Sequence, residues 1–267
     1  MSSYAAEIPR FSAGRVLRVY STEAKYELLK TLRQPAYVIP TLTFPLLFYV
    51  MFGVAFGGRQ AIGPVSLATY LLATYSTVGV MGASLFGFGA GVAMERGYGW
   101  LQVKRASPMP PLAYLVAKTV MSIIFSAIIV TSLFILGTLF GGVHLSIIAF
   151  LKLMGIMIVG AIPFCALGLV IGCYSAPNAA PGVVNILFLP MSFCSGLWLP
   201  LQLLPKFLQH VAPYLPPYHL GQLALKQVGF GTPGSALPHV AALAAFTLVF
   251  LLLALRGFSR DDVKVNA

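Results

Sequence analysis

Long apolar runs constrain this chain more than any motif it carries. A helix crossing the hydrocarbon core of a bilayer takes about 20 residues. Six stretches reach or approach that length with almost no charge inside: roughly 36–57, 67–93, 118–140, 146–173, 181–199 and 236–256. Lipid offers no partner to a bare backbone amide, so such runs fold as helices. The remainder agrees, since 58% of the 267 residues are hydrophobic and only 9% are charged, against about a quarter charged in an average soluble domain. The expected fold is all-α integral membrane, with six transmembrane helices. Residues 1–35 precede the membrane, 36–256 form one transmembrane domain and 257–267 form a tail. The polar and charged stretch before the first run, with no small-residue cleavage site after it, makes that run a retained span and not a signal peptide.

Basic residues set the orientation, because short cytoplasmic loops carry the excess of Lys and Arg. Of the 17 Lys and Arg residues, an N-terminus-inside topology places 13 on the cytoplasmic side, from Arg10 through Arg33, at Arg96, Lys104, Arg105 and Lys118, and at Arg256, Arg260 and Lys264. Only Arg59, Lys152, Lys206 and Lys226 face the other side. Both termini, the 94–118 hinge and the 174–180 loop are therefore expected in the cytoplasm of a cell whose inner (plasma) membrane holds the protein. All six acids fall inside, and His144, His210, His219 and His239 fall outside.

Several classes of function are disfavoured. The net charge of +11 belongs to span-flanking residues, so it does not call for nucleic acid. Cys165, Cys173 and Cys194 lie in or beside spans without CxxC spacing, which argues against a disulfide framework or a zinc site. No G-x-x-x-x-G-K-[ST] loop is present, so the chain itself is expected to bind no ATP or other cofactor. No Asp or Glu interrupts a span, whereas ion-coupled transporters usually carry ionisable groups there. Lys152 is the one intramembrane candidate, and it lies close enough to a span end to snorkel to the interface. An ion-coupled transporter or channel would rest on Lys152, and an integral membrane enzyme on the four histidines, whose spacing matches no metal or triad pattern. What remains is a pathway whose motor must be a partner.

Four features carry more information. Residues 12–34 read as a basic amphipathic helix lying on the inner leaflet, with Leu17, Tyr20, Ala24, Leu28 and Leu32 as its apolar stripe and Tyr26 and Leu29 outside it. In the second span Ala83, Gly87 and Gly91 repeat every four residues, as do Gly168 and Gly172 in the fourth, a spacing that lets helices approach closely. The hinge "MERGYGWLQVKRASPMPPLAYLVAK" predicts a short helix near Gly99–Ala106 with Trp100, Val103 and Lys104 on one side. Its prolines stop that helix before another begins near Leu112. After a short fifth span, stretches near 203–212 and 217–228 are apolar but too brief to cross, and read as re-entrant half-helices with Trp198, Tyr214 and Tyr218 at headgroup level.

The amphipathic helix, the hinge and "SGLWLPLQLLPKFLQHVAPYLPPYH" together resemble the type-2 permease family of ATP-binding-cassette transporters, with the ABCG-like membrane fold. The resemblance covers nearly the whole chain. It implies an exporter subunit for a hydrophobic or amphipathic compound such as a drug-like molecule, a lipid or a lipid-linked glycan. Two permease copies, expected as a homodimer, would work with two ATPase subunits that hold the ATP and Mg. In that family the hinge is a coupling helix that docks on the ATPase. Carried over, Glu95, Arg96, Gly97, Trp100, Leu101, Arg105, Pro108, Pro110, Tyr114 and Lys118 would form or support it. The second and fifth spans of the two copies would enclose the pathway, with Ser76, Ser84, Phe88, Asn185, Phe188, Ser192 and Phe193 as lining positions.

Overall fold

The computed structural model describes residues 13–56, 60–106, 109–231 and 234–265. Glu7, Arg10, Arg59 and Pro108 lie outside the described residues, as do the side chains of Arg105, Arg260, Asp261, Asp262 and Lys264. The chain is an all-α integral membrane protein. Helix α1 (Ala13–Leu32) stops because Pro35 has no amide hydrogen and pushes Gln34 off helical geometry, to φ −108° and ψ 79°. The same proline occupies the first turn of α2 (Pro35–Phe48), where a missing donor costs nothing. Past Pro40 and Pro45 the helix widens into π-helical turns over Tyr49–Ala55.

A two-residue hairpin, β1 (Ala61–Ile62) against β2 (Val65–Ser66), links α2 to α3 (Leu67–Leu85). Ser66 caps α3 by accepting from the Thr69 amide at 3.2 Å. Helix α3 runs through a π-helical segment, Phe86–Ala90, into α4 (Gly91–Gly97). The hinge then forms α5 (Trp100–Ala106), and α6 (Pro111–Leu139) and α7 (Ile147–Tyr174) follow as full spans. The fifth apolar run forms only α8 (Ala180–Cys194), whose 15 residues reach about 22 Å, short of the ~30 Å hydrocarbon core. Two short helices, α9 (Lys206–Val211) and α10 (Pro216–Gln227), match the expected half-helices, and α11 (Leu237–Val265) closes the fold. Helix α11 continues through most of the stretch expected as a tail.

Helix α3 is the axis of the bundle. Every residue from Ala68 to Leu85 is buried, because α2, α6, α7, α8 and α10 all pack around it. In contrast, only 17% of the apolar window in α2 and 11% of that in α11 is buried, so their outer faces remain for lipid or another chain. The small-residue seams are contacts. A Cβ on Gly168 would meet Phe88 at 2.7 Å, one on Gly172 would meet Val92 at 2.7 Å, and one on Gly87 would meet Met121 at 3.0 Å.

Trp198 departs from the headgroup placement expected for it. It is buried, its Nε1 donates to Ser192 Oγ at 2.8 Å, and its ring stacks on Phe193 and meets the edges of Phe44 and Phe48. The indole has its donor satisfied inside the protein and so needs no interface. Tyr214 is exposed and Tyr218 half-buried.

Candidate coupling site

The hinge stands at the end of the bundle where α1, α4 and α6 converge. Glu23, Glu27 and Thr31 recur every four residues along α1, which puts them on one helical face. That face, and not the leucine stripe, turns inward: Glu27 and Thr31 are buried, while Leu17 and Leu32 are 72% and 49% exposed. Tyr26 and Leu29 are also exposed. Tyr20, Ala24 and Leu28 of the stripe are half-buried. Leu17 and Leu32 thus stay on an outer face, where a leaflet would meet them, while α1 packs on α6 through a polar seam.

Lys118 of α6 is the centre of that seam and is 1% exposed. Its ammonium donates to Glu27 Oε1 at 2.7 Å and to Glu95 Oε1 at 2.9 Å. Lys30 bridges the same two carboxylates, binding Glu27 Oε2 at 2.7 Å and also Glu95 Oε1. Tyr114, one turn before Lys118, donates its hydroxyl to Glu95 Oε2 at 2.8 Å. Two carboxylates and two ammoniums make a neutral cluster in which each charge has at least two partners, the condition under which buried ions are tolerated.

Burial would raise the Glu27 carboxyl, but Lys118 and then Lys30 outweigh it and hold it below its ordinary value. Burial would lower Lys30, but Glu95 and Glu27 hold it above its own. Opposite charges in a poorly hydrated pocket favour the ionised state of each other. The cluster is therefore a set of ion pairs, not of shared protons.

Two further ties bind α4 and α5 to the rest. Arg96 donates to the carbonyls of Cys173 and, at 2.7 Å, Ser175, satisfying the C-terminal end of α7. Gly97 lies so close to Pro177 that a Cβ there would fall 2.0 Å from its Cγ, so the turn before α8 seats against the base of the hinge. Gly99 turns the chain into α5 with φ +77°, a conformation that favours glycine. Lys104 of α5 pairs with Glu23 and lies 4.5 Å over the Tyr114 ring. Trp100 and Val103, which share this side of the helix with Lys104, are left open at 58% and 65% exposed.

The residues named from the sequence thus divide. Glu95, Arg96, Gly97, Tyr114 and Lys118 form the internal mounting. Leu101 is half-buried, Met109 and Pro110 are half-buried at the start of α6, and Trp100 is presented outward. Glu23, Glu27 and Lys30 were missed, although the four-residue spacing of Glu23, Glu27 and Thr31 was a signal for an inward polar face.

This chain is similar to known transporters over most of its length. The profile of the ABC-2 type transporter family matches residues 19–227. The chain belongs to that family. A Bacillus subtilis (strain 168) protein named "Putative transport permease YvfS" is 28% identical over 237 residues, which cover 89% of this chain and 96% of that protein. An ABC-2 permease is a multi-pass membrane transport subunit whose family associates with an ABC ATPase.

On the bundle flank, α2, α3 and α8 enclose a cleft of about 300 Å³ lined by Tyr37, Thr41, Phe44, Gly79, Asn185 and Phe188, among others. Asn185 and Phe188 were expected along a pathway, and Phe193 is exposed near it on α8. Ser76, Ser84, Phe88 and Ser192 are buried within the chain, and Ser76 donates to the Leu72 carbonyl. Lys152 is exposed on the bundle surface. Among the described residues no three His, Cys, Asp or Glu side chains gather as metal ligands.

Proposed function

We propose that this ABC-2 permease is the membrane subunit of an ATP-driven exporter, working as a homodimer with two separate ATPase subunits that bind ATP and Mg. The observation that carries this reading is the mounting of α5. An exposed aromatic helix stands on a buried ion cluster joining α1, α4 and α6, and on Arg96, which grips the end of α7. A push on α5 therefore reaches four helices at once. A motor can only shift this equilibrium if it binds the two states differently, and a stiff mounting turns that difference into helix movement.

In this reading the α5 end faces the cytoplasm, which the excess of basic residues there supports, and the α9–α10 end faces outward. The substrate is hydrophobic or amphipathic. The α2–α3–α8 cleft supports this, since its lining is apolar apart from a few groups such as Thr41 and Asn185. Its flank position lets a second copy complete a pathway.

The test is reconstitution with the cognate ATPase in proteoliposomes. Trp100→Ala should lower both permease-stimulated ATP hydrolysis and transport by about tenfold, the loss of one exposed hot-spot aromatic, while thermal stability stays within about 0.5 kcal/mol. Robust ATP turnover by the permease alone, or wild-type coupling in Trp100→Ala, would sink the reading.

A further inference from the structure

At the opposite end of the bundle, His219 of α10 faces His239 in the first turn of α11. Their Nδ1 atoms are 3.0 Å apart, and their ring centroids 5.2 Å apart. Those two distances together mean that the rings meet almost head-on, each Nδ1 aimed at the other. One proton fits between them. A metal ion would instead need both lone pairs bent toward a common point to one side.

The outer nitrogen of His219 decides who carries that proton. His219 Nε2 lies 2.9 Å from the Pro213 carbonyl, which can only accept, so Nε2 bears a hydrogen. In the neutral ring Nδ1 is then a lone pair, and the bond is His239 Nδ1–H donating to His219 Nδ1. A first added proton goes to His239 Nε2 and leaves this bond in place. A second must go to His219 Nδ1, which sets N–H against N–H.

The surroundings make that second proton costly. His219 is 9% exposed, and burial pushes it below its ordinary value of 6.5. Lys226, two turns further along α10 with its ammonium held by the Gly234 carbonyl, adds a cation on the His239 side of the pair. Among the described residues the rings that meet the pair, Tyr218 on α10 and Phe246 on α11, bring no negative charge.

We infer that His219 and His239 form a proton-released latch, which ties the half-helix α10 to the start of α11 near neutral pH and opens when both rings are protonated. The sign follows from linkage. The open state takes up protons with ordinary histidine affinity and the closed state resists the second, so the latch weakens as pH falls below 6.5. No such device is required for transport itself, and only the side of the membrane that senses acid rests on the proposed orientation.

Amide hydrogen exchange on the full chain in nanodiscs tests the latch, comparing about pH 7.5 with about pH 4.5 after correction for intrinsic rates. Peptides covering α10 and the start of α11 should exchange at least about tenfold faster at the lower pH in the wild type. His239→Phe, which keeps an aromatic ring beside Tyr218 and Phe246, and His239→Gln should each abolish that pH dependence, while His210→Ala should retain it. Lys226→Met should move the opening toward neutral pH, because a cation on the His239 side that opposed protonation of the pair is gone. Unchanged exchange in the wild type, or a pH response that survives both His239 variants, overturns the inference.

Discussion

The two ends of the bundle are held by different physics. At the α5 end the contacts are ionic: Lys118 and Lys30 against Glu27 and Glu95, with Tyr114 completing the shell. At the α9–α10 end, apart from the hydrogen-bonded His219–His239 pair, they are aromatic and steric, with Trp198 set among Phe44, Phe48, Tyr75 and Phe193. There Gly221 and Gly160 also admit Leu197 and Leu220 at close range. Ion pairs have defined partners and lose much when one is removed, which suits the proposed role of this end in transmitting a displacement. Ring and leucine packing tolerates small slides, which suits half-helices too short to anchor themselves across a bilayer.

The sharpest way to break this comparison is to delete one charge. Lys118→Met should destabilise the protein by about 3–5 kcal/mol, because two carboxylates then share a buried site with one cation. Adding Glu27→Gln should recover a large part of that loss, as the remaining Glu95 and Lys30 still pair. Thermal unfolding of the single and double variants measures both, and equal loss in the two would show that packing, not charge balance, holds the α5 end.

At the other end Trp198→Ala should cost about 3 kcal/mol through the cavity left among its rings. No partner substitution of the charge-balancing kind should rescue it. Unfolding of the detergent-solubilised variant reads this directly, and a loss below about 0.5 kcal/mol would mean that the aromatic nest collapses without penalty.

The smallest expected effect is with pH. Glu27 is held below its ordinary 4.5, so its contribution is complete above that value and is lost only as pH falls through the depressed one. Lys30 is held above its ordinary 10.5, so its contribution is complete below that value and is lost as pH rises through the raised one. Exchange of α1 amides should therefore stay flat between those two ordinary values. If α1 loosened in step with α10 on mild acidification, the two ends would not be independent.

Much of this was legible in one dimension. The apolar runs named the five long helices, Pro35 marked the break between α1 and α2, and the prolines of 108–111 bounded α5 from α6. Glu95, Arg96, Tyr114 and Lys118 could be singled out on the hinge because that segment resembles the coupling helix of the permease family. Their partners could not, since Glu27 and Lys118 are 91 residues apart and periodicity on α1 favoured its leucines. The same distance in sequence hid the contact between His219 and His239, whose spacing of 20 residues fits no local motif.

Hydropathy by itself determined that this chain is a helical membrane protein, and charge asymmetry set the orientation to expect, because insertion responds to sums over segments. Tertiary structure alone decided which side of α1 is inward, that Trp198 is core, and that the hinge rests on ion pairs. Those outcomes depend on which polar groups find partners once helices pack, and a buried charge is stable only where its counter-charge arrives from another part of the chain.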